Sequence, residues 1–332
     1  MVAIELKPRN KTKFRNLPGS IELSDETKVE VLAQQVAKAS KLSIHRIRLT
    51  VPNPAYDEAA AKAGKRVKRD ISLANDLPLS HYVGTDAKTI TVGVKDLGPQ
   101  LGWRAVYLVE YFGPLIIHPI FFFFQQTIYG QTFEHTRVQQ LAFIFVMLHF
   151  LKREYETAFI HRFSLATMPA FNIFKNSGHY WILSGFNLAY FIYAPASYTS
   201  ADKSALSRFI FGAHVVPLNA IQLHLLTALW LFAELSNFWT HLYLASLRAD
   251  GSKDRKIPRG YGFNLVSFPN YFFETLAWFA FLLVTQNWSS LLFLIVGGGQ
   301  MAIWAIKKHK RYRKDFGDKY PRNRKAMIPF IF

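Results

Sequence analysis

The sequence predicts an α-helical membrane protein that crosses the bilayer about six times and carries a small α+β domain at its N-terminus. Three observations lead to this fold class. Half of the 332 residues are hydrophobic, yet the mean hydropathy is only slightly positive, so strongly apolar spans must alternate with charged segments. The apolar spans begin near residue 105, and the basic residues gather in every second connection between them. The first 97 residues instead alternate as short strands and one amphipathic helix do.

Residues 1–97 are predicted to form a soluble domain of short strands and one helix. The strands are predicted at Val2–Leu6, Ser20–Leu23, His45–Val51 and Thr89–Val94. The helix is predicted at Thr27–Leu42, because its apolar residues recur at helical spacing. This order of elements is typical of a β-grasp domain, and the segment resembles ubiquitin. It lacks a C-terminal di-glycine, which favours a docking or stabilising module over a conjugated modifier.

Six apolar stretches follow and form the second domain, residues 105–332. A membrane-spanning helix needs about 20 residues, within a range of about 17–25. The stretches are 105–126, 139–151 with its extension, 178–195, 209–236, 271–286 and 288–306. The second stretch is short, and only Gln286, Asn287 and Trp288 separate the last two. The expected number of spans is therefore about six, with one more or one fewer also compatible with the pattern.

The basic residues of the connections support this number of spans. Lys152, Arg153 and Lys175 lie in the second connection, and the fourth contains the basic run within Leu247–Gly260. The tail Lys307–Phe332 is also densely basic, whereas the alternate connections are nearly uncharged. Basic residues concentrate on the cytosolic side of membrane proteins. The pattern therefore predicts that the N-terminus and the C-terminus both face the cytosol.

Net charge and cysteine content exclude several classes of function. The formal net charge of +18 is compatible with nucleic acid, anionic lipid or an anionic small molecule as partner. Because the charge clusters beside apolar spans, membrane lipid and an anionic small molecule are favoured, and no nucleic acid is expected. The sequence contains no cysteine, which excludes disulfides, thiolate catalysis, Cys-ligated zinc, prenylation and palmitoylation.

Three carboxyl groups are predicted at membrane depth. Glu110, Glu234 and Glu274 each lie within or beside an apolar stretch, where a charged group costs about 2.5–3.5 kcal/mol and usually marks function. Asn237 and His241 follow Glu234 at spacings of three and seven, so the three side chains can share one face of a helix. The alternative for each carboxyl group is a polar residue satisfied by a neighbouring helix.

Neither a metal centre nor a dinucleotide-binding Rossmann domain is expected. Histidines recur through the apolar half of the chain, at His118, His149, His161, His179, His214, His224 and His241. Their spacings match none of the HxxxH, HxxHH or HExxH patterns. No GxGxxG run follows a predicted strand. The run Gly297–Gly299 lies inside an apolar stretch, where small residues favour close packing of helices.

Four longer segments resemble a known family. They are VEYFGPL (Val109–Leu115), LKREYETAFIHRFSLATMPAFNIFKNSGHYW (Leu151–Trp181), KIPRGYGFNLVSFPNYFFETLAW (Lys256–Trp278) and DKYPRNRKAMIPFIF (Asp318–Phe332). With the N-terminal domain, they resemble the trans-2-enoyl-CoA reductases of the very-long-chain fatty acid elongation cycle, within the steroid 5-alpha-reductase family. The resemblance spans the whole chain. It implies a 5-alpha-reductase-like membrane fold whose C-terminal half, about 234–332, binds NADPH.

The same resemblance implies roles for individual residues. Tyr271 and Glu110 correspond to catalytic positions. The cofactor-binding positions are Asn237, His241, Arg248, Lys256, Asn270, Glu274, Tyr312 and Arg324. The KRxxE motif of the family falls on Lys152, Arg153 and Glu156, which implies a role in substrate binding or in structure. Steroid reductases tend to carry an acidic residue at the position of His241 and an arginine at that of Lys256, and this chain departs from both.

The implied reaction is NADPH-dependent reduction of a long-chain trans-2-enoyl-CoA to the saturated acyl-CoA. This is the last step of the elongation cycle, which also makes sphingolipid precursors. Hydride goes to C3 of the thioester, and a proton then goes to C2. Tyr271 is expected to deliver the proton or stabilise the enolate, and Glu110 to polarise the thioester oxygen or orient Tyr271. Arginine suits the cofactor phosphates, because its planar fork binds them with two hydrogen bonds.

The resemblance also implies a location and partners. These are the endoplasmic reticulum membrane and the elongase enzymes, namely a condensing enzyme, a ketoacyl reductase and a dehydratase. An acyl-chain tunnel could be lined by aromatic residues, although core packing or lipid contact is the simpler interpretation of each. These aromatic residues are Phe121–Phe124, Phe143, Phe145 and Phe150.

Three other functions remain open from the sequence. A steroid or polyprenol reductase of the same family would share the cofactor and act on an enone or an allylic substrate. A methyltransferase related to isoprenylcysteine methyltransferase would typically contain an Arg-His-Pro-x-Tyr run, which the sequence lacks. A ubiquitin-like membrane adaptor would leave Glu110, Tyr271 and Glu274 without a purpose at membrane depth.

Overall fold

The structure is a computed structural model, and it describes residues 1–9, 14, 16–56, 69–82, 89–163, 166–249 and 256–332. The chain divides into two compact units. The first comprises Met1–Gly102 and Leu165–Asn172, and the second comprises Trp103–Ser164 and Ile173–Phe332.

A five-stranded sheet and one long helix form most of the first unit. The elements are β1 (Val2–Pro8), β2 (Ser20–Leu23), α1 (Val29–Ala39), β3 (Ile47–Pro52), β4 (Asp70–Ser72) and β5 (Thr89–Asp96). The sheet order is β2-β1-β5-β3-β4. The central strands β1 and β5 are parallel, whereas the other neighbouring strands are antiparallel. A short antiparallel ribbon, β6 (Gln100–Gly102) with β7 (Thr167–Pro169), belongs to the same unit.

The core of this unit follows from the alternation along β1. Val2, Ile4 and Leu6 are buried, since alternate side chains of a strand point to the same face of the sheet. Ile4 and Leu6 pack with Leu32 and Val36 of α1 in one apolar cluster. The sheet contains the four strands that the sequence predicted. The three-residue β4 was missed because it is too short to have a periodicity of its own. That this unit is ubiquitin-like stays a prediction.

Apart from the first residue of α5, the second unit contains the remaining helices. These are α2 (Trp103–Phe123), α3 (Gln125–Tyr129), α4 (Arg137–Tyr155), α5 (Asn172–Ser177), α6 (Leu188–Ile192), α7 (Ala205–Ile210), α8 (Ala220–Ser246), α9 (Pro269–Thr285) and α10 (Trp288–Phe316). Two segments have the wider π-helical winding. Glu156–Ile160 continues α4, and Gly178–Asn187 leads into α6.

Five helices, α2, α4, α8, α9 and α10, pack around an aromatic core. Helix α9 packs along α8 and against α10, while α2 packs against α4 and the π-helical segment Gly178–Asn187. Buried aromatic side chains fill the centre, among them Tyr111, Phe150 and Tyr193. Phe145 and Trp230 stack across α4 and α8 with ring centroids 4.2 Å apart. This packing aligns the polar faces of α4, α8 and α9.

The fourth apolar stretch, 209–236, is not one helix. Gly212 has a positive φ of 93°, which ends the preceding turn, and α8 begins only after Asn219. The Asn219 side chain accepts a hydrogen bond from the Gln222 backbone amide, and the Gln222 side chain completes the reciprocal cap. Helix α8 then extends beyond 236 to Ser246, so Asn237 and His241 lie on the same helix as Glu234.

Among the described residues, two helices are long and apolar enough to cross a membrane by length and composition. They are Trp103–Phe123 and Trp288–Lys319. Six membrane crossings therefore stay a prediction.

Candidate active site

A buried polar network joins α4, α8 and the start of α9. The Lys152 ammonium group lies 2.6 Å from a carboxylate oxygen of Glu234 and donates to Asn237 Oδ1, also at 2.6 Å. The Asn237 amide donates in turn to the backbone carbonyl of Asn270 at 2.8 Å. Asn237 is 1% exposed. Its amide therefore fixes the separation of α8 and α9 at this point.

His149 extends the network to Glu274. Its Nδ1 lies 2.7 Å from Oε1 of Glu234, and its Nε2 lies 3.3 Å from Oε1 of Glu274. The ring meets Trp278 edge-on, with centroids 4.8 Å apart. Sequence reasoning assigned no role to His149. Its spacing of three and four residues from Lys152 and Arg153 places it on their helix face, and this spacing was the one available signal.

Arg153 organises a second cluster beside the first. Its guanidinium donates to Glu156 Oε2 at 2.5 Å and to the Tyr111 hydroxyl at 3.0 Å. The other carboxylate oxygen of Glu156 lies 3.0 Å from Nδ1 of His241. Glu156 is fully buried. The three residues of the KRxxE motif therefore lie against Asn237 and His241, although these two residues are distant from the motif in the sequence.

The same cluster contains side chains that could ligate a metal ion. The ligand atoms of Glu156, His161 and His241 all lie within 4.8 Å of one another, a proximity that the sequence spacing did not reveal. However, Nη1 of Arg153 lies 2.5 Å from Glu156 Oε2 and 3.3 Å from Nδ1 of His241. The only carboxylate of the three is therefore already paired with a cation.

The C-terminal segment pairs with the residues that precede α9. The Ser267 amide donates to the Lys325 carbonyl at 2.8 Å, and the Lys325 amide donates to the Leu265 carbonyl at 3.0 Å. The Ser267 hydroxyl also lies 2.6 Å from the Tyr320 hydroxyl. Pro269 occupies the first turn of α9, where its fixed φ suits helix initiation. Arg324 is thereby held next to the start of α9, which contains Asn270 and Tyr271.

Two buried polar groups in this region have no partner among the described residues. They are Oδ1 of Asn270 and the Nε and Nη1 atoms of Arg324. Arg324 is only 4% exposed, and Asn270 is 8% exposed. The Arg324 guanidinium lies over the Tyr320 ring, 5.2 Å from its centroid. Because buried donors are normally satisfied and a buried charge without an acceptor is costly, these atoms fit a ligand with anionic and amide groups.

Tyr271 lies in the first turn of α9 and is partly buried. Its hydroxyl accepts a hydrogen bond from the Lys308 ammonium group at 2.7 Å, and its ring stacks on Phe268 with centroids 5.6 Å apart. Sequence reasoning missed Lys308, because it lies in a dense basic run where no single lysine stands out. The contact leaves the phenolic proton free to be donated elsewhere.

Glu110 lies in α2 and is 1% exposed. Its Oε1 has no hydrogen-bond partner among the described residues, and Asn176 lies beside the carboxyl group. Within the described part of the chain, Glu110 and Tyr271 are not hydrogen-bonded to each other. Tyr107 lies within electrostatic range of both side chains.

Three of the expected cofactor residues lie outside the buried network. Arg248 donates to the Arg162 carbonyl at 2.9 Å, and Lys256 is exposed. Tyr312 stacks between Phe268 and Tyr320, with centroids 5.7 and 5.6 Å away. The middle of the basic run, residues 250–255, lies outside the described residues.

The aromatic residues expected to line an acyl-chain tunnel separate into three groups, one of which, Phe123 and Phe124, is exposed. Phe121, Phe145 and Phe150 are buried in the core of the second unit. Phe122 and Phe143 instead line an open groove of about 470 Å³. The aromatic residues therefore do not enclose one continuous tunnel within the described residues.

Comparisons with known proteins identify related chains. The family described as 3-oxo-5-alpha-steroid 4-dehydrogenase matches residues 166–332. A putative enoyl reductase of Schizosaccharomyces pombe is 45% identical over 331 residues, which cover 99% of this chain and 100% of the relative. A very-long-chain enoyl-CoA reductase of Dictyostelium discoideum is 41% identical and covers 94% of this chain and 95% of its own length. A probable very-long-chain enoyl-CoA reductase of Caenorhabditis elegans is 38% identical over 78% of this chain and 81% of its own.

Proposed function

This chain belongs to the 3-oxo-5-alpha-steroid 4-dehydrogenase family, and we propose that within it the protein is an oxidoreductase that reduces trans-2-enoyl-CoA to saturated acyl-CoA in the last step of very-long-chain fatty acid elongation. One observation carries the proposal. The similarity to enoyl reductases extends over 99% of the chain and therefore includes the N-terminal unit, whereas the family match begins at residue 166.

Membership of this family implies a nicotinamide cofactor, and we propose that it is NADPH. The unpartnered guanidinium atoms of Arg324 suit a phosphate group, which arginine binds with two parallel hydrogen bonds. The unpartnered Oδ1 of Asn270 suits an amide N–H, such as that of the nicotinamide. Glu274 lies four residues after Asn270 and so projects from the same face of α9. When bound, the cofactor supplies the hydride that goes to C3 of the substrate.

The protein must then stabilise negative charge on the thioester oxygen and deliver a proton to C2. Tyr271 is proposed as the proton donor, since its hydroxyl accepts from Lys308 and keeps its own proton available. The Lys308 ammonium group lies 2.7 Å from the oxygen that gives up this proton. Glu110 is proposed to orient the thioester or Tyr271 through its unpartnered Oε1. A correctly placed general acid contributes about 10²–10⁴-fold to the rate.

The other candidate residues are proposed to shape the site and hold the cofactor. Lys152 and Asn237 position Asn270 by way of the bond from Asn237 to its carbonyl. Arg153, Glu156 and His241 form the adjoining ion cluster. Arg248 and Tyr312, which are partly buried, and Lys256, which is exposed, are proposed to reach the cofactor from the side of the basic connections.

A location in the endoplasmic reticulum membrane is proposed, with about six spans, both termini in the cytosol and the elongase enzymes as partners. Two apolar helices long enough to span a bilayer and the basic connections support an embedded chain. A cytosolic site would give the basic residues access to soluble NADPH. Accessibility of tags at each terminus in sealed microsomes tests the orientation, and a lumenal tag would contradict it.

The decisive experiment follows NADPH oxidation by the purified full-length protein. A long trans-2-enoyl-CoA is expected to be reduced. A 3-oxo-4-ene steroid is the alternative substrate, because its reduction is the reverse of the steroid dehydrogenation that the family description names. Turnover of the steroid without turnover of the thioester would favour the steroid reductase interpretation. No oxidation with either substrate, by folded protein, would favour the membrane adaptor.

A further inference from the structure

His149 is placed between two carboxylates on two different helices. Nδ1 lies 2.7 Å from Glu234 of α8, and Nε2 lies 3.3 Å from Glu274 of α9. The His149 side chain is 4% exposed and that of Glu234 is 7% exposed, so water does not separate these groups. Phe150 and Trp278 meet the ring edge-on and complete its surroundings.

This geometry favours a positively charged imidazole. A neutral histidine carries a proton on one nitrogen and can donate to one acceptor, whereas an imidazolium donates from both. Each His149 nitrogen faces an ionisable oxygen, so the doubly protonated ring satisfies both contacts. The neighbouring ion pairs agree with this assignment. The cations His149, Lys152 and Arg153 balance the carboxylates Glu156, Glu234 and Glu274, which are their ion-pair partners.

We propose that His149 is a positioning residue that holds the Glu274 carboxylate ionised and in one orientation. Glu234 fixes the other side of the ring, and Lys152 fixes Glu234 at 2.6 Å. Glu274 is thereby anchored to α4 and α8 as well as to its own helix. The inference rests on the proposed function, in which Glu274 and Asn270 contact the nicotinamide end of NADPH. His149 then acts on hydride transfer through Glu274 without touching the cofactor.

A matched control exists in the same unit. His118 is also fully buried, and its ring nitrogens contact the Tyr193 hydroxyl at 2.6 Å and the Ser184 carbonyl at 2.7 Å. Neither partner is a carboxylate. The variants His149→Gln and His118→Gln therefore remove comparable buried rings and two polar contacts each, but only the first removes a cation from between two carboxylates.

The test measures kcat, the KM for a long trans-2-enoyl-CoA and the Kd for NADPH in the full-length protein. We expect His149→Gln to lower kcat at least tenfold with the thioester KM changed less than threefold, and His118→Gln to leave kcat within threefold. In a double-mutant cycle, His149→Gln combined with Glu274→Gln should be no slower than Glu274→Gln alone, because both changes act through one carboxylate. Equal kcat losses for the two histidine variants, or fully multiplicative losses in the cycle, would overturn the proposal.

A folding defect in His149→Gln is handled with the double variant His149→Gln/Glu234→Gln, which removes one cation and one carboxylate and keeps the cluster neutral. It leaves Glu274 without its partner, so the same tenfold loss in kcat is expected. A near-normal kcat would contradict the role of His149.

Failure of the proposed function would give a different result. In that case the wild-type protein itself would neither bind NADPH nor reduce the thioester.

Discussion

The ammonium group of Lys308 donates a hydrogen bond to the Tyr271 hydroxyl at 2.7 Å, and so joins α10 to the first turn of α9. The same ammonium lies 5.2 Å from the centre of the Tyr271 ring and 5.6 Å from that of Phe268. A cation is therefore fixed beside the phenol that is proposed to act as the acid. Two predictions follow from this contact.

Tyr271→Phe removes the hydroxyl and leaves the ring stacked on Phe268. We expect kcat for the enoyl-CoA to fall by about 10²-fold or more, because a general acid is lost, while the NADPH Kd changes little. Tyr129→Phe is the matched control, since the Tyr129 hydroxyl donates to the Tyr190 carbonyl at 2.9 Å outside the proposed site. Near-normal turnover of folded Tyr271→Phe would mean that another residue supplies the proton.

Lys308→Met removes the cation and keeps an apolar side chain of similar length. Both lysines of the Lys307–Lys308 pair are exposed, so the effect is screened by solvent. We expect kcat to fall by about 3- to 10-fold for Lys308→Met, which corresponds to about 0.7–1.4 kcal/mol of transition-state stabilisation. Lys307→Met should leave kcat unchanged. Equal effects of the two variants would indicate a general loss of basic charge instead of a specific contact.

Arg324→Gln tests the anion site at the C-terminal segment. Hydrogen bonds to charged groups contribute about 1.5–3 kcal/mol, so we expect the NADPH Kd to rise about 10- to 100-fold, as measured by quenching of tryptophan fluorescence. Arg322→Gln is the control, because the Arg322 and Asp318 side chains are 81% and 93% exposed and their ion pair should contribute little. An unchanged Kd in Arg324→Gln would exclude Arg324 from the cofactor site.

Gly113→Ala tests the close packing of α2. A Cβ at Gly113 would lie 2.2 Å from Cδ1 of Trp181, whose indole donates to the Val109 carbonyl at 2.9 Å. Overpacking of this kind costs about 1–3 kcal/mol, so the melting temperature in detergent should fall. Gly297→Ala in α10 has open space around it and should be neutral or stabilising, since alanine is the better helix former. Equal melting temperatures for the two variants would mean that Trp181 moves aside freely.

The first unit should lose stability in acid through Asp96. The Arg46 guanidinium donates to both carboxylate oxygens of Asp96, at 3.0 and 2.5 Å, and this holds the pKa of the Asp96 carboxyl below its usual range. The unfolded chain therefore takes up the proton first as the pH falls. The stabilisation, about 0.5–1 kcal/mol for a partly exposed pair, is complete above about pH 4 and is lost as the pH falls through the lowered pKa.

Hydrogen exchange of β3 and β5 in the full-length protein checks this prediction. Asp96→Asn should reduce protection of these strands at pH 7 and abolish the part of the acid sensitivity that the wild type owes to Asp96. Glu22→Gln, at an exposed position on β2, should leave both unchanged. Wild-type acid sensitivity in the Asp96→Asn variant would assign the effect to another carboxylate.

The local pattern of apolar and polar residues in the sequence determined much of the architecture. Strand alternation located four of the five strands of the large sheet in the first unit, and hydropathy located the two helices that are long and apolar enough to span a membrane. It failed where a turn lies inside an apolar stretch, as at Gly212, because hydropathy does not register backbone conformation. Hydropathy also could not register the π-helical winding of Gly178–Asn187, a segment that packs against α2.

The sequence by itself determined the family, the reaction class and most candidate residues, because these are written in contiguous motifs such as those around Lys152 and Asn270. Only the tertiary structure decided which side chains meet. His149 and Glu234 are 85 residues apart, and Tyr271 and Lys308 are 37 apart. Helical periodicity says which residues share one face of a helix, but not which helix covers that face. That choice depends on the packing of α4, α8, α9 and α10, and it places His149 beside Glu274 and Lys308 beside Tyr271.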